Sequence, residues 1–239
     1  MILYSIIYAY KEGITIKKII DDIFADISLN RCLAIAEGRM KKQIEILKKY
    51  VRNERITLLK ETNDYHELEI SMEMQVRNVP TNVTPPYIPI RYRVWVRKNS
   101  PFVITFDVGR KQSKVGILML SYATTNRLDG INKLTWYKED FLRLIKWILD
   151  NNGHIRRITL DRVKEKDGIE LKQLVLSAER LEDSKLFEIG IRESLVIKNL
   201  AFVSPPLEST GRSIYCRLSY WGSLTVYTRD VRDFELSLI

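Results

Sequence analysis

Between Arg91 and Thr124 the chain reads as three successive β-strands joined by two short basic turns, a run that leaves little choice of architecture. Ile90, Tyr92, Val94 and Val96 fall on one face of the first strand, and Arg91, Arg93, Trp95 and Arg97 on the other. That is the two-residue period of a strand lying half in a core. Phe102 to Val108 and Val115 to Ala123 are apolar at nearly every position, which predicts two strands covered on both faces and central in a sheet. The predicted connections are Arg97-Lys98-Asn99-Ser100-Pro101, with proline at a strand entrance, and Gly109-Arg110-Lys111-Gln112-Ser113-Lys114, a glycine-containing hairpin tip.

Upstream of this stretch, Ile2 to Tyr10 reads as a buried strand closed by Lys11-Glu12-Gly13. Ile16, Ile19, Ile20, Ile23, Phe24 and Ile27 recur at three-and-four spacing, which predicts an amphipathic helix. A second helix is expected from Cys32 to Asn53, capped by Asn30, with Gly38 as the place where it bends or splits. Strands begin at Arg55. Ile56 to Lys60 is short, and Glu67 to Arg77 alternates cleanly, with Leu68, Ile70, Met72, Met74 and Val76 opposite Glu67, Glu69, Ser71, Glu73 and Gln75. The proline-rich stretch from Asn78 to Pro89 is too long for a tight hairpin.

Downstream, Tyr137 to Asn152 predicts a helix with Thr135 in position to cap it and Gly153 at its end. Ile155 to Val163 and Ile169 to Ser177 form a predicted hairpin around Asp167-Gly168. Residues 180–192 fit a helix through Leu181, Lys185 and Leu186, and a strand through Phe187, Ile189 and Ile191. Further strands are expected at Leu195 to Val203, Arg212 to Tyr220 and Leu224 to Thr228, then a helix over Arg229 to Ile239.

The expected fold is α+β: N-terminal helices on a large antiparallel sheet, followed by a second, smaller antiparallel sheet with its own closing helix. The segments run 1–54, 55–153 and 154–239, and can equally form one compact domain. The last two blocks each close with a strand followed by a helix, through Leu118-Met119-Leu120 before Asp140-Phe141-Leu142, and through Leu224-Thr225-Val226 before Asp233-Phe234-Glu235. In strand order alone this is similar to the paired halves of TATA-binding-like saddles. No diagnostic residue supports that family.

Charge narrows the partners. Lys and Arg number 39 against 30 Asp and Glu, for a net charge of +9, which suits a polyanion such as DNA or RNA. Cys32 and Cys216 are too few and too far apart for a disulfide framework, so a reducing, cytoplasmic location is expected. The apolar run from Met1 to Tyr10 is too short to span a bilayer, and no membrane partner is expected. The scarcity of Cys, Gln and His beside abundant Ile, Lys and Glu fits a protein from a hot environment, and fits biased genome composition equally well.

Known catalytic devices are sparse. His66 and His154 are the two histidines and lie at no metal-ligand spacing, and no nucleophile elbow, phosphate-binding loop or dinucleotide fingerprint occurs. Neither a metal nor a cofactor is expected. Asp107, ending an apolar strand, reads better as a cap for the basic turn, paired with Arg110 or Lys111, than as a metal-binding carboxylate. The cations of the second helix, Arg39, Lys41, Lys42, Lys48, Lys49 and Arg52, read as a solvated face interrupted by Glu37, Glu45 and Glu54.

The expected site is the comb of Arg91, Arg93, Trp95 and Arg97, extended by Lys98, Arg110, Lys111 and Lys114 in the neighbouring turns. Guanidinium groups take phosphates, and an accessible indole stacks on a base. One arrangement would neutralise it. Glu67, Glu69 and Glu73 have the same parity as the arginines, so adjacent strands would place both charged faces on one side, where Glu–Arg pairs consume the cations. The leading expectation is a basic, non-enzymatic nucleic-acid-binding or nucleoprotein-associated protein. The alternative is a scaffold or homo-oligomer subunit contacting protein alone, through residues such as Tyr220, Trp221 and Tyr227, and a metal-dependent nuclease using Asp107 ranks third.

Overall fold

The structure, a computed structural model, describes residues 2–19, 21–75, 86–106, 108–164, 170–207 and 211–227. Its strands are β1 (Ile2–Tyr10), β2 (Val51–Glu61), β3 (Tyr65–Gln75), β4 (Tyr87–Arg97), β5 (Phe102–Phe106) and β6 (Ile131–Lys133). They continue with β7 (His154–Lys164), β8 (Glu170–Ser177), β9 (Ser194–Val203), β10 (Tyr215–Ser219) and β11 (Ser223–Tyr227). The helices are α1 (Leu29–Ile35), α2 (Gly38–Lys48), α3 (Arg110–Thr125), α4 (Lys138–Asp150) and α5 (Lys185–Glu193).

Hydrogen bonding joins the strands in the order β2-β3-β4-β5-β1-β11-β10-β9-β7-β8, with β6 paired to β1. This corrects the expected fold class. There is one sheet of eleven strands, the helices are interspersed along the chain rather than gathered at the N-terminus, and no separate second sheet exists among the described residues. By contact the chain divides into two compact units, residues 6–133 and residues 1–5 with 134–239.

In the unit of residues 6–133, β3 and β4 pair antiparallel without interruption from Tyr65 opposite Arg97 to Gln75 opposite Tyr87. Their shared apolar face carries Leu68, Ile70, Met72, Tyr92, Val94 and Val96, all buried. What covers that face is α3, where the sequence predicts a hairpin tip and a third strand. The run from Val115 to Thr125 exceeds an ordinary strand in length, and a helix buried all round shows no periodicity to betray it. Two of its buried hydroxyls are satisfied within the helix: Thr124 Oγ1 donates to the Leu120 carbonyl at 2.8 Å and Thr125 Oγ1 to that of Ser121 at 2.7 Å. Gly116 makes the close approach possible, because a Cβ there would collide with the Tyr92 hydroxyl and Ile70.

The N-terminal helices also differ from expectation. The described residues of the range 16–27 form no long helix but one short 3-10 turn over Asp21–Phe24, and the Lys17 N–H donates to the Thr124 carbonyl. Isoleucine repeats of this kind carry little intrinsic helix propensity. The second predicted helix is two helices. Gly38 adopts a φ of +51°, a left-handed conformation that separates α1 from α2. Ser28, not Asn30, caps α1 by accepting from the Arg31 N–H. β2 takes the residues from Val51 onward.

In the unit of residues 1–5 and 134–239, α4 follows its predicted stripe, with Phe141, Ile145 and Ile148 buried. Its start is fixed by the Tyr137 N–H donating to Asp140 Oδ2 at 2.9 Å, rather than by Thr135. Residues 185–193 resolve as the helix α5, capped by Ser184 and packed through Phe187 and Gly190. β7 and β8 form the predicted hairpin. Residues 165–169 at its expected tip, residues 78–85 of the expected proline-rich loop, Val76 and Arg77, the helix expected over 229–239 and Asp107 lie outside the described residues. No helix among the described residues is long and apolar enough to cross a membrane.

Candidate nucleic-acid interface

The expected site stands on the face of β2, β3 and β4 opposite to α3. Register decides its charge. Glu67 lies opposite Trp95, Glu69 opposite Arg93, Ser71 opposite Arg91 and Glu73 opposite Pro89, so the acidic and basic combs are immediate neighbours on one face. Arg93 Nη1 meets Glu67 Oε1 at 3.0 Å. That pair removes Arg93 from the set of open cations.

Trp95 is the larger correction. Its side chain is 3% exposed, with the Tyr65 ring stacked at 4.5 Å and the Phe106 ring edge-on at 4.8 Å. The indole is thus the centre of an aromatic cluster, and no base can stack on it. Alternation in β4 correctly separates the two faces, but it carries no information on what covers either.

The edge strand β2 adds cations that the expected site does not include, among them Arg52, which the sequence places on the second predicted helix and the structure places in β2. Arg52 lies opposite Glu73, Arg55 opposite Ser71, and Lys60 opposite Glu67, all on this same face. Arg52 Nε contacts Glu73 Oε2 at 2.7 Å, holding that carboxyl below its ordinary value, and its guanidinium lies 3.9 Å from the Tyr87 ring centre. Two register shifts, between Arg52 and Arg55 and between Leu58 and Lys60, break the alternation of β2 and leave Arg55 and Lys60 without a legible period. Asn53, at a φ of 53°, sits within the first.

The face therefore carries Arg52, Arg55, Lys60, Arg91, Arg93 and Arg97 against Glu67, Glu69 and Glu73, six cations to three carboxylates among the described residues. Arg55, Lys60 and Arg91 are exposed and make no ion pair with any described residue. Arg55 and Arg91 share one cross-strand row, with Ser71 between them. Two strand spacings separate their backbones by about 10 Å.

The remaining predicted residues are not gathered here. Lys98 Nζ is bound to Glu61 Oε1 at 2.7 Å. Arg97, half-buried, lies opposite Tyr65. Arg110 and Lys111 open α3, their side chains outside the described set, and Lys114 lies on the same helix, donating to Gln43 Oε1 at 2.8 Å. These last three belong to the helix on the opposite face, because the expected hairpin tip is a helix start.

Other reactive groups have structural roles. Burial pushes the Cys32 and Cys216 thiols up to about 12, so neither is a thiolate near neutral pH. His154 Nδ1 lies 3.2 Å from Glu182 Oε1, and the other oxygen of that carboxylate accepts from the Ile155 N–H at 3.0 Å. Glu182 thereby ties the 3-10 turn Leu181–Asp183 to the start of β7. Among the described residues no three His, Cys, Asp or Glu side chains are grouped to hold a metal ion.

The molecule is thus an α+β protein built on one large antiparallel sheet, with an excess of positive charge on one sheet face. No protein-family model and no curated protein sequence matches the chain.

Proposed function

We propose that the protein is a basic, non-catalytic binder of nucleic acid that takes phosphates on the outer face of β2, β3 and β4. The observation that carries this reading is the Arg55–Ser71–Arg91 row, two exposed guanidinium groups that no described carboxylate neutralises. Guanidinium pairs phosphate oxygens in two-pronged fashion, and each neutralised phosphate releases counterions. With Trp95 enclosed, the indole offers no stacking platform. The Arg55–Arg91 row favours recognition of backbone over base, so DNA and RNA of mixed sequence are expected to bind alike. Fluorescence anisotropy with labelled single- and double-stranded DNA and RNA tests this in low salt. Binding that weakens steeply with salt is expected, and a flat response at about 50 mM salt, where such contacts are strongest, ends the proposal.

A second reading, a subunit that contacts protein alone, is supported by a different surface. Leu186 and Ile189, three residues apart on α5, are 63% and 45% exposed, and Leu195 beyond the helix is 49% exposed. Light scattering at increasing concentration separates the readings, since self-association through α5 is removed by Leu186→Glu and phosphate binding is not.

A further inference from the structure

A cleft of about 390 Å³ lies between α2, α3 and β6, on the helix-covered side of the sheet in residues 6–133. Its size falls in the range of small-molecule sites, about 300–1,000 Å³. Met40, Ile117, Leu118, Leu128 and Ile131 give it an apolar wall. Its polar lining comes from Gln43, Lys114, Asn132, Lys133 and Tyr8, and includes no carboxylate. Tyr8 is already engaged, its hydroxyl 2.7 Å from Ser113 Oγ. The Lys114 ammonium bonds only a neutral amide oxygen, that of Gln43 at 2.8 Å, so its charge has no counter-ion among the described residues.

We propose that this cleft binds a single-chain anionic amphiphile, with the carboxylate at Lys114 and the hydrocarbon along Met40, Leu118 and Leu128. Charge complementarity selects the head group: a cation would meet the lysine ammonium, and a neutral alcohol would leave that charge unmatched. The apolar wall selects the tail. Neither feature draws on the arginine row, which stands on the opposite sheet face, so the two sites are tested separately.

Isothermal titration calorimetry of the full chain with decanoate, decanol and decyltrimethylammonium, each kept below its micelle concentration, reads the preference. Decanoate is expected to bind with one site per chain and at least about tenfold more tightly than decanol, with decyltrimethylammonium weakest. Octanoate should bind more weakly by about fourfold for each methylene lost. Lys114→Met keeps the exposed stem and removes the charge. It should weaken decanoate about tenfold or more while leaving decanol unchanged. Met40→Trp fills the half-buried side of the cleft and should abolish both. No decanoate binding at about 1 mM, equal binding of the three head groups, or undiminished decanoate binding in Lys114→Met with circular dichroism unaltered overturns the proposal.

Discussion

The two faces of the β2–β3–β4 layer are made from alternate residues of the same strands, yet different forces hold them. On the inner face Leu68, Ile70, Val94 and the helix α3 exclude water through packed apolar surface, with Gly116 seated against Tyr92. The outer face mixes one enclosed indole, two arginine–glutamate pairs and three open cations. Strand parity assigns a residue to a face; only the neighbouring strands and helices decide whether that face is a core, a charge lattice or a binding surface.

The sharpest break in this comparison concerns Trp95, which sits on the charged face but is packed like a core residue. Trp95→Ala should cost about 3–5 kcal/mol by denaturant unfolding, far more than an exposed stacking residue would. Gly116→Ala tests the inner face. It should destabilise by about 1–3 kcal/mol, because the added methyl meets the Tyr92 hydroxyl and Ile70 and α3 must lift. A loss near zero would mean that α3 is not closely seated.

Protonation separates the faces next. His66, with inner-face parity and buried, is held below its ordinary value of 6.5, chiefly by burial. The unfolded chain takes up a proton there first, so stability falls as pH drops through 6.5, and His66→Leu should remove that fall between about pH 7.5 and 5.5. Glu73 on the outer face is held below its ordinary 4.5, chiefly by its hydrogen bond from Arg52. Its contribution is present above that value and is lost at lower pH, and Arg52→Ala should flatten the acid limb of the stability curve without affecting the neutral one. The smallest energetic effect is at the outer-face pair. A double-mutant cycle on Glu67 and Arg93 should return a coupling of about 1 kcal/mol or less.

Much of this arrangement was legible in the alternation of Glu67 to Gln75 and Ile90 to Arg97, which assigned both strands and both faces. The single sheet was not, because nothing local to β1 or β11 tells which distant strand each will pair with. α3 was misread because a helix buried on every side and a strand buried on both sides give the same unbroken apolar run. Arg55 and Lys60 were missed because the irregularities of β2 erase its period. The rival arrangement, with glutamates beside arginines, was legible in the parity of Glu67, Glu69 and Glu73, but adjacency had to come from the register itself.

The proposed nucleic-acid binding depends on Arg55 and Arg91 as open phosphate contacts. The salt dependence of duplex DNA binding measures this directly, comparing the parent chain with Arg55→Ala/Arg91→Ala, which should alter stability by no more than about 0.5 kcal/mol per site. The slope of log affinity against log salt should become shallower by about 2 in the double variant, as expected for two lost phosphate contacts. An unchanged slope, with the variant as stable as the parent, would contradict the account.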